Sequence, residues 1–133
     1  MNIIRVHHTV TLLSDGKMLV VGGNDNTKYL NSAELYDPNT GNWTMTGSMT
    51  YQRQAYTATL LADGTVLIIG GYSQNGYLNS VELYDILSGT WTIITNMSRA
   101  RGQHSASILS DGRVLDSGGI TTDLSAVNTA ELY

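Results

Sequence analysis

The stretch ADGTVLIIGG, residues 62–71, decides how this chain must be read, because it occurs three times. SDGKMLVVGG fills residues 14–23, and SDGRVLDSGG fills 110–119. The Asp-Gly pairs at 15–16, 63–64 and 111–112 lie 48 residues apart. The Gly-Gly pairs Gly22–Gly23, Gly70–Gly71 and Gly118–Gly119 keep that interval. So do Trp43 and Trp91, Met49 and Met97, and the series Arg5, Arg53, Arg101. AELY at 33–36 returns as VELY at 81–84 and as AELY at 130–133. The last interval is 49, which places a one-residue insertion between Gly119 and Glu131. Landmarks this varied in one phase define an internal repeat.

Each unit reads as four short strands. HHTVTLL (7–13) alternates, with His8, Val10 and Leu12 on one side and Thr9, Thr11 and Leu13 on the other. AYTATLL and QHSASIL are its counterparts. The Asp-Gly pair that follows suits a tight hairpin, because glycine accepts positive φ at little cost. KMLVV and TVLII are apolar on both sides, which predicts a strand buried on both faces. Gly-Gly ends that strand where the backbone turns sharply or approaches a neighbour. AELYD is the third strand, DPNTGN a turn with Pro38 and Gly41, and the fourth strand begins at Trp43 or Trp91. Helical periodicity is absent. A tandem four-stranded unit of about 50 residues is a propeller blade, a sheet too small to bury its faces except against neighbours. The expected fold is all-β: a partial propeller of about 2.7 antiparallel blades at 5–52, 53–100 and an incomplete 101–133.

Composition agrees. With 133 residues there is room for one ordinary domain. An apolar fraction of 41% beside a charged fraction of 14% marks a folding chain. The net charge is −4 and the seven Lys and Arg are scattered, so nucleic acid and anionic membranes are not expected partners. No cysteine is present, which removes disulfide and thiol chemistry from this segment. No apolar run approaches the roughly 18 residues of a membrane helix, so membrane insertion is not expected. The opening MNIIRVHH lacks the apolar region of a signal peptide, and the compartment stays open.

Candidate chemistry is sparse. His8 and His104 share a repeat position that Tyr56 fills in the middle unit, which favours packing over metal ligation. His7 is expected on the opposite face of the strand from His8, which argues against a paired ligand site. Glu34, Glu82 and Glu131 lie among apolar residues, where a carboxylate needs a partner. Arg5, Arg53 and Arg101 repeat in phase with them, so a structural ion pair at each blade junction is expected rather than acid–base catalysis. Trp43 and Trp91, also in phase, read as packing residues rather than sugar platforms. The sequons at Asn42 and Asn96 occur at about chance frequency. Asp116 and Ser117 replace an apolar pair. Either the repeat has drifted, or the blade borders a pocket where Asp116 meets a ligand, a water or an arginine such as Arg113.

Strand direction divides the loops. Those after strands one and three share one face, which carries the short repeated turns. The divergent segments NDNTKYLNS, YSQNGYLNS and ITTDLSAVNT share the other face with the linkers TGSMTYQRQ and TNMSRARGQ. Binding residues gather on variable loops over a rigid scaffold. Asn24, Asp25, Tyr72, Gln74 and Asp123 are therefore the candidate binding residues.

The arginine and histidine before strand one, the Asp-Gly turn, Gly-Gly, SAELYDPNTGNWT and the downstream methionine and arginine together resemble the kelch repeat over essentially the whole chain. The Asp-Gly turn before the Gly-Gly strand is similar to that of galactose-oxidase-like kelch propellers. The resemblance implies a non-catalytic scaffold that binds a protein or small ligand through its variable loops, with no cofactor and no catalytic or metal residue in this segment. The alternative it implies is part of a copper-radical oxidase whose active tyrosines, histidines and cysteine lie outside these blades. A lectin-like propeller rests on tyrosine content alone. Propellers typically close with about four to eight blades. The chain is therefore expected to be part of a longer propeller, or else to complete a ring by self-association.

Overall fold

The computed structural model describes residues 1–133 and contains strands, turns and no helix. No helix is therefore long and apolar enough to cross a membrane. Strands β1 (Thr9–Leu12), β2 (Met18–Val21), β3 (Ala33–Asp37) and β4 (Asn42–Thr46) form the first antiparallel sheet in that order. The second sheet runs β5 (Thr57–Leu60), β6 (Val66–Ile69), β9 (Ser80–Asp85) and β10 (Thr90–Asn96). A two-residue hairpin, β7 (Tyr72–Ser73) with β8 (Gly76–Tyr77), rises from its middle connection. Strands β11 (Ser105–Ile108), β12 (Val114–Ser117) and β13 (Ala130–Leu132) form the third sheet. β5 lies against both β1 and β11, so the first strand of every sheet faces a common hub. This is a partial β-propeller.

Register explains why the sheets stack. In the second sheet Ala58, Leu60, Val66, Ile68, Tyr84 and Trp91 share one face, and they meet Leu13, Leu19, Val21, Ala33 and Met49 of the first unit. The other face carries Leu67, Ile69, Val81 and Leu83 against Ala106, Val114 and Tyr133, with Met97 closing the gap. β6 is consequently buried on both faces, as its unbroken apolar run requires. Each such side chain taken fully out of water contributes about 1.5–3 kcal/mol.

Polar staples reinforce both ends of the first junction. At the rim, the Trp91 indole N–H donates to the Gly47 carbonyl at 2.8 Å, and the Tyr84 and Thr46 hydroxyls meet at 2.8 Å. Near the hub, the Tyr56 hydroxyl donates to the Val21 carbonyl at 2.5 Å and accepts from the Thr9 hydroxyl at 3.0 Å. Burial pushes the Tyr56 phenol up to about 12, so it stays a donor throughout the accessible pH range. Tyr56→Phe is expected to lower stability by about 1 kcal/mol, the usual net value of one such bond. Urea unfolding checks this through a lower midpoint at unchanged slope.

Strand one differs from its sequence reading. It begins at Thr9, and His7 stands before it at φ 55°. Ala55 and Gln103 adopt φ 53° and 54° at the same phase. One left-handed residue per unit thus bends the chain from linker into strand, and the Gln103 N–H ties two bends together through the Ala55 carbonyl at 2.9 Å. His7 is exposed on that bend and His8 half-buried below it, so alternation along a strand does not separate them.

Candidate functional site

The linkers and the loops after the second strands lie together on one end of the propeller. Isolated bridges join Val6 to Asn24, Gln54 to Tyr72 and Gly102 to Ile120. The Gly-Gly pairs permit this crossing. The Gly71 N–H donates to the Arg101 carbonyl, its own carbonyl accepts from Leu78, and the Gln54 carbonyl and Tyr56 leave no room for a side chain. Gly23 repeats the pattern with Arg53 and Leu30. Gly119, at φ 94°, passes close to the Gly102 carbonyl.

Beneath that face each linker is anchored by an ion pair. The Arg53 guanidinium reaches Glu82 at 2.6 Å and also donates to the Gly70 and Ser80 carbonyls and the Ser80 hydroxyl. Glu82 accepts in addition from the Thr50 and Tyr51 N–H groups. Both side chains are fully buried. Burial pulls the Arg53 guanidinium below its usual value, and Glu82 opposes that pull. Arg5–Glu34 repeats the arrangement at 2.9 Å, and Arg101–Glu131 repeats it at 3.3 Å with Glu131 partly exposed. Every carboxylate and nearly every guanidinium donor is engaged, so these groups fix the linker. Trp43 and Trp91 lie out at the rim, each tilted against a tyrosine of its own sheet, at 4.9 and 4.8 Å between rings.

The three loops are pre-formed by different local devices. Asp25 Oδ1 accepts from the Thr27 N–H, the Thr27 hydroxyl and the Lys28 N–H, which holds its carboxyl below the usual carboxylate range. Asp123 caps its loop in the same way through Ser125 and Thr121, with the same direction of shift. Between them the β7–β8 hairpin is closed by the buried Ser73 hydroxyl, which donates to the Gly76 carbonyl and accepts from Asn75. Asn24 and Gln54 hydrogen-bond across the first junction.

A tyrosine ridge links these loops. Tyr29 meets Tyr72 edge-on at 5.8 Å, Tyr72 meets Tyr77 at 4.9 Å, and the Tyr77 ring covers Gly102. The ridge therefore joins the loops of the first two units and reaches the linker that opens the third. A pocket of about 220 Å³ beside it is lined by Asn24, Asn26, Thr27, Lys28, Tyr29 and Gln54. Tyr72 lies in the ridge, Asn24 in the pocket wall, and Gln74 is exposed at the hairpin tip. Asp25 and Asp123 spend their carboxylates within their own loops. Sequence reasoning missed Tyr29, Tyr77 and Gln54; the signal available was an aromatic residue in the divergent loop of two successive units.

Asp116 stands elsewhere. It faces the second sheet, fully buried, 3.7 Å from Arg101 Nε and 3.5 Å from His104 Nε2. Arg113, the arginine named as an example in the pocket account, instead pairs with Asp111 at 2.6 Å on the exposed turn. Linker geometry brings Arg101 inward, whereas Arg113 lies beside the turn aspartate of its own hairpin.

Stacked antiparallel sheets, a Gly-Gly crossing under every linker and an Arg–Glu anchor beneath it define a repeat propeller scaffold with its irregular loops on one face. Residues 2–128 match the family model for the KLHDC2/KLHL20/DRC7 Kelch-repeats domain, and the chain belongs to the kelch-repeat family. No curated protein matches it. Kelch-repeat domains are typically protein-interaction scaffolds.

Proposed function

We propose that this chain is a non-catalytic interaction scaffold that engages a protein partner through its loop face, with Asn24, Tyr72 and Gln74 in contact and Asp25 and Asp123 shaping the loops beside them. The observation that carries the reading is the ridge Tyr29–Tyr72–Tyr77, which crosses the junction of the first two units among loops held by their own hydrogen bonds. Pre-formed aromatic surface costs little ordering entropy on binding, and tyrosine is enriched at energetic centres of interfaces. The opposite face offers short repeated turns closed on their own aspartates, Asp15, Asp63 and Asp111. The galactose-oxidase-like alternative would place its chemistry outside this segment.

A photo-crosslinker at position 74, with one at position 39 on the opposite face as control, tests the assignment. Position 74 is expected to give discrete adducts that Tyr72→Ala diminishes by roughly tenfold or more. Adducts confined to position 39, or indifferent to Tyr72→Ala, would remove the loop face from the reading.

A further inference from the structure

Two positions change together between the two junctions. Where the first junction places Tyr56 and Ile68, the second places His104 and Asp116, each 48 residues on. Both newcomers face the second sheet and neither side chain is exposed. Neither Asp116 oxygen has a hydrogen-bond partner, and the His104 Nδ1 has none. His104 Nε2 lies 3.5 Å from Asp116 Oδ1 and 3.1 Å from the Thr57 hydroxyl.

The charged surroundings of the pair are few. Arg101 lies beside Asp116: its two terminal nitrogens serve Glu131, Thr129 and the Gly118 carbonyl, and its Nε, which has no hydrogen-bond partner, is 3.7 Å from Asp116. Glu131 is the cross-strand neighbour of Asp116, and the Tyr133 phenol follows on the same strand. From the second sheet, β5 and β6 present Thr57, Thr59, Leu67 and Ile69, none of them titratable. β9 presents Val81 and Leu83, and Asp85 at its far end caps its own turn through Leu87 and Ser88.

Arg101 and Glu131 cancel. An ionised Asp116 beside a neutral His104 therefore leaves this dry site at −1, and protonating both leaves it at +1. One proton held between them leaves it neutral, the state that burial favours. We propose that Asp116 and His104 act as a single proton-sharing unit, in which the aspartate offsets the cost of burying the histidine and keeps the third sheet's docking level in mild acid.

The shifts run in the required directions. Burial, chiefly, raises Asp116 to about 6, with Arg101 opposing and Glu131 adding to the rise. Burial and then Arg101 lower His104 to about 4, against a smaller pull from the Ile69 carbonyl. Between about pH 4 and 6 the folded pair holds one proton. The unfolded chain, with histidine near 6.5 and aspartate near 3.8, holds one as well. Equal proton counts give no slope of stability with pH.

Each single variant uncovers one half. Asp116→Asn leaves a histidine whose folded value is depressed: stability is full above 6.5 and is lost as pH falls toward 4. His104→Tyr leaves an aspartate whose folded value is raised: stability is full below 3.8 and is lost as pH rises through 6. Relative to the parent, the unfolding equilibrium constant is expected to change about tenfold per pH unit between 4.5 and 5.5, in opposite directions for the two variants. The double variant His104→Tyr/Asp116→Ile, which copies the first junction, is expected to follow the parent slope. Urea titrations at three pH values read all four proteins, and NMR titration of His104 in the parent supplies a check that needs no variant. Slopes of the same sign, slopes equal to the parent's, or a His104 that titrates near 6.5 would overturn the proposal.

Discussion

Replacing Glu82 with alanine is expected to lower the stability of the chain by about 3–5 kcal/mol, the usual cost of stranding one partner of a buried ion pair. Three separate losses converge. Arg53 keeps its charge in a site with no exposure, and the Thr50 and Tyr51 N–H groups lose their acceptor. The linker they belong to then has no fixed path over the second sheet. Glu82→Gln preserves shape and one acceptor oxygen, so it should cost less, yet it still removes the charge that balances Arg53. Glu131→Ala provides the internal comparison, because the same carboxylate in the third sheet is partly exposed and its ion pair is longer at 3.3 Å. Its cost should be at most about half that of Glu82→Ala, since solvent relieves a stranded arginine there. Chemical denaturation of the three variants decides the order. Equal losses at positions 82 and 131 would mean that burial is not what gives the pair its importance.

The phase of the repeat made much of this architecture legible before any coordinates. Strands two and three recur because every sheet must bury two faces, and an unbroken run such as VLII at 66–69 has few other uses. Arg53 and Glu82 could be paired on paper because a carboxylate among apolar neighbours demands a cation, and only one basic position repeats with it. The loop face was legible in outline but not in its content. Tyr29 comes from one loop and Tyr72 and Tyr77 from the next, and nothing in one loop reveals its neighbour's ring. The β7–β8 hairpin was read as plain loop although Asn75-Gly76 is a hairpin signal, because the surrounding polar residues obscured the short strands. For Asp116 the sequence left drift and a pocket both open, and the arginine it offered as an example, Arg113, was near only in sequence. Phase held the better clue: His104 and Asp116 stand where Tyr56 and Ile68 do, and those two already share a face. Contacts that repeat are visible in one dimension; contacts particular to one junction require the third.

The second large effect belongs to the glycine crossing. Gly71→Ala is expected to cost about 2–5 kcal/mol, combining the penalty for a left-handed backbone with that of overpacking. Its φ is 106°, and a Cβ there would sit 2.7 Å from the Gln54 carbonyl and 2.8 Å from the Tyr56 Cβ. Neither obstacle is the loose end of a flexible side chain. Relief requires the linker at Gln54 to lift from the strand, which also breaks the two backbone bonds that Gln54 exchanges with Tyr72. Gly16→Ala separates the two contributions: its φ is 84°, but a Cβ would meet nothing within 4 Å. That substitution should cost only about 1–2 kcal/mol, the conformational part alone. Because the crossing supports Tyr72 and the hairpin above it, Gly71→Ala should also weaken any partner held at the loop face, whereas Gly16→Ala, on the opposite end, should not. Thermal unfolding and amide exchange at residues 72–77 read both consequences. Equal destabilisation by the two alanines would show that the close passage of linker and strand contributes nothing, and that glycine stands at position 71 for its backbone freedom alone.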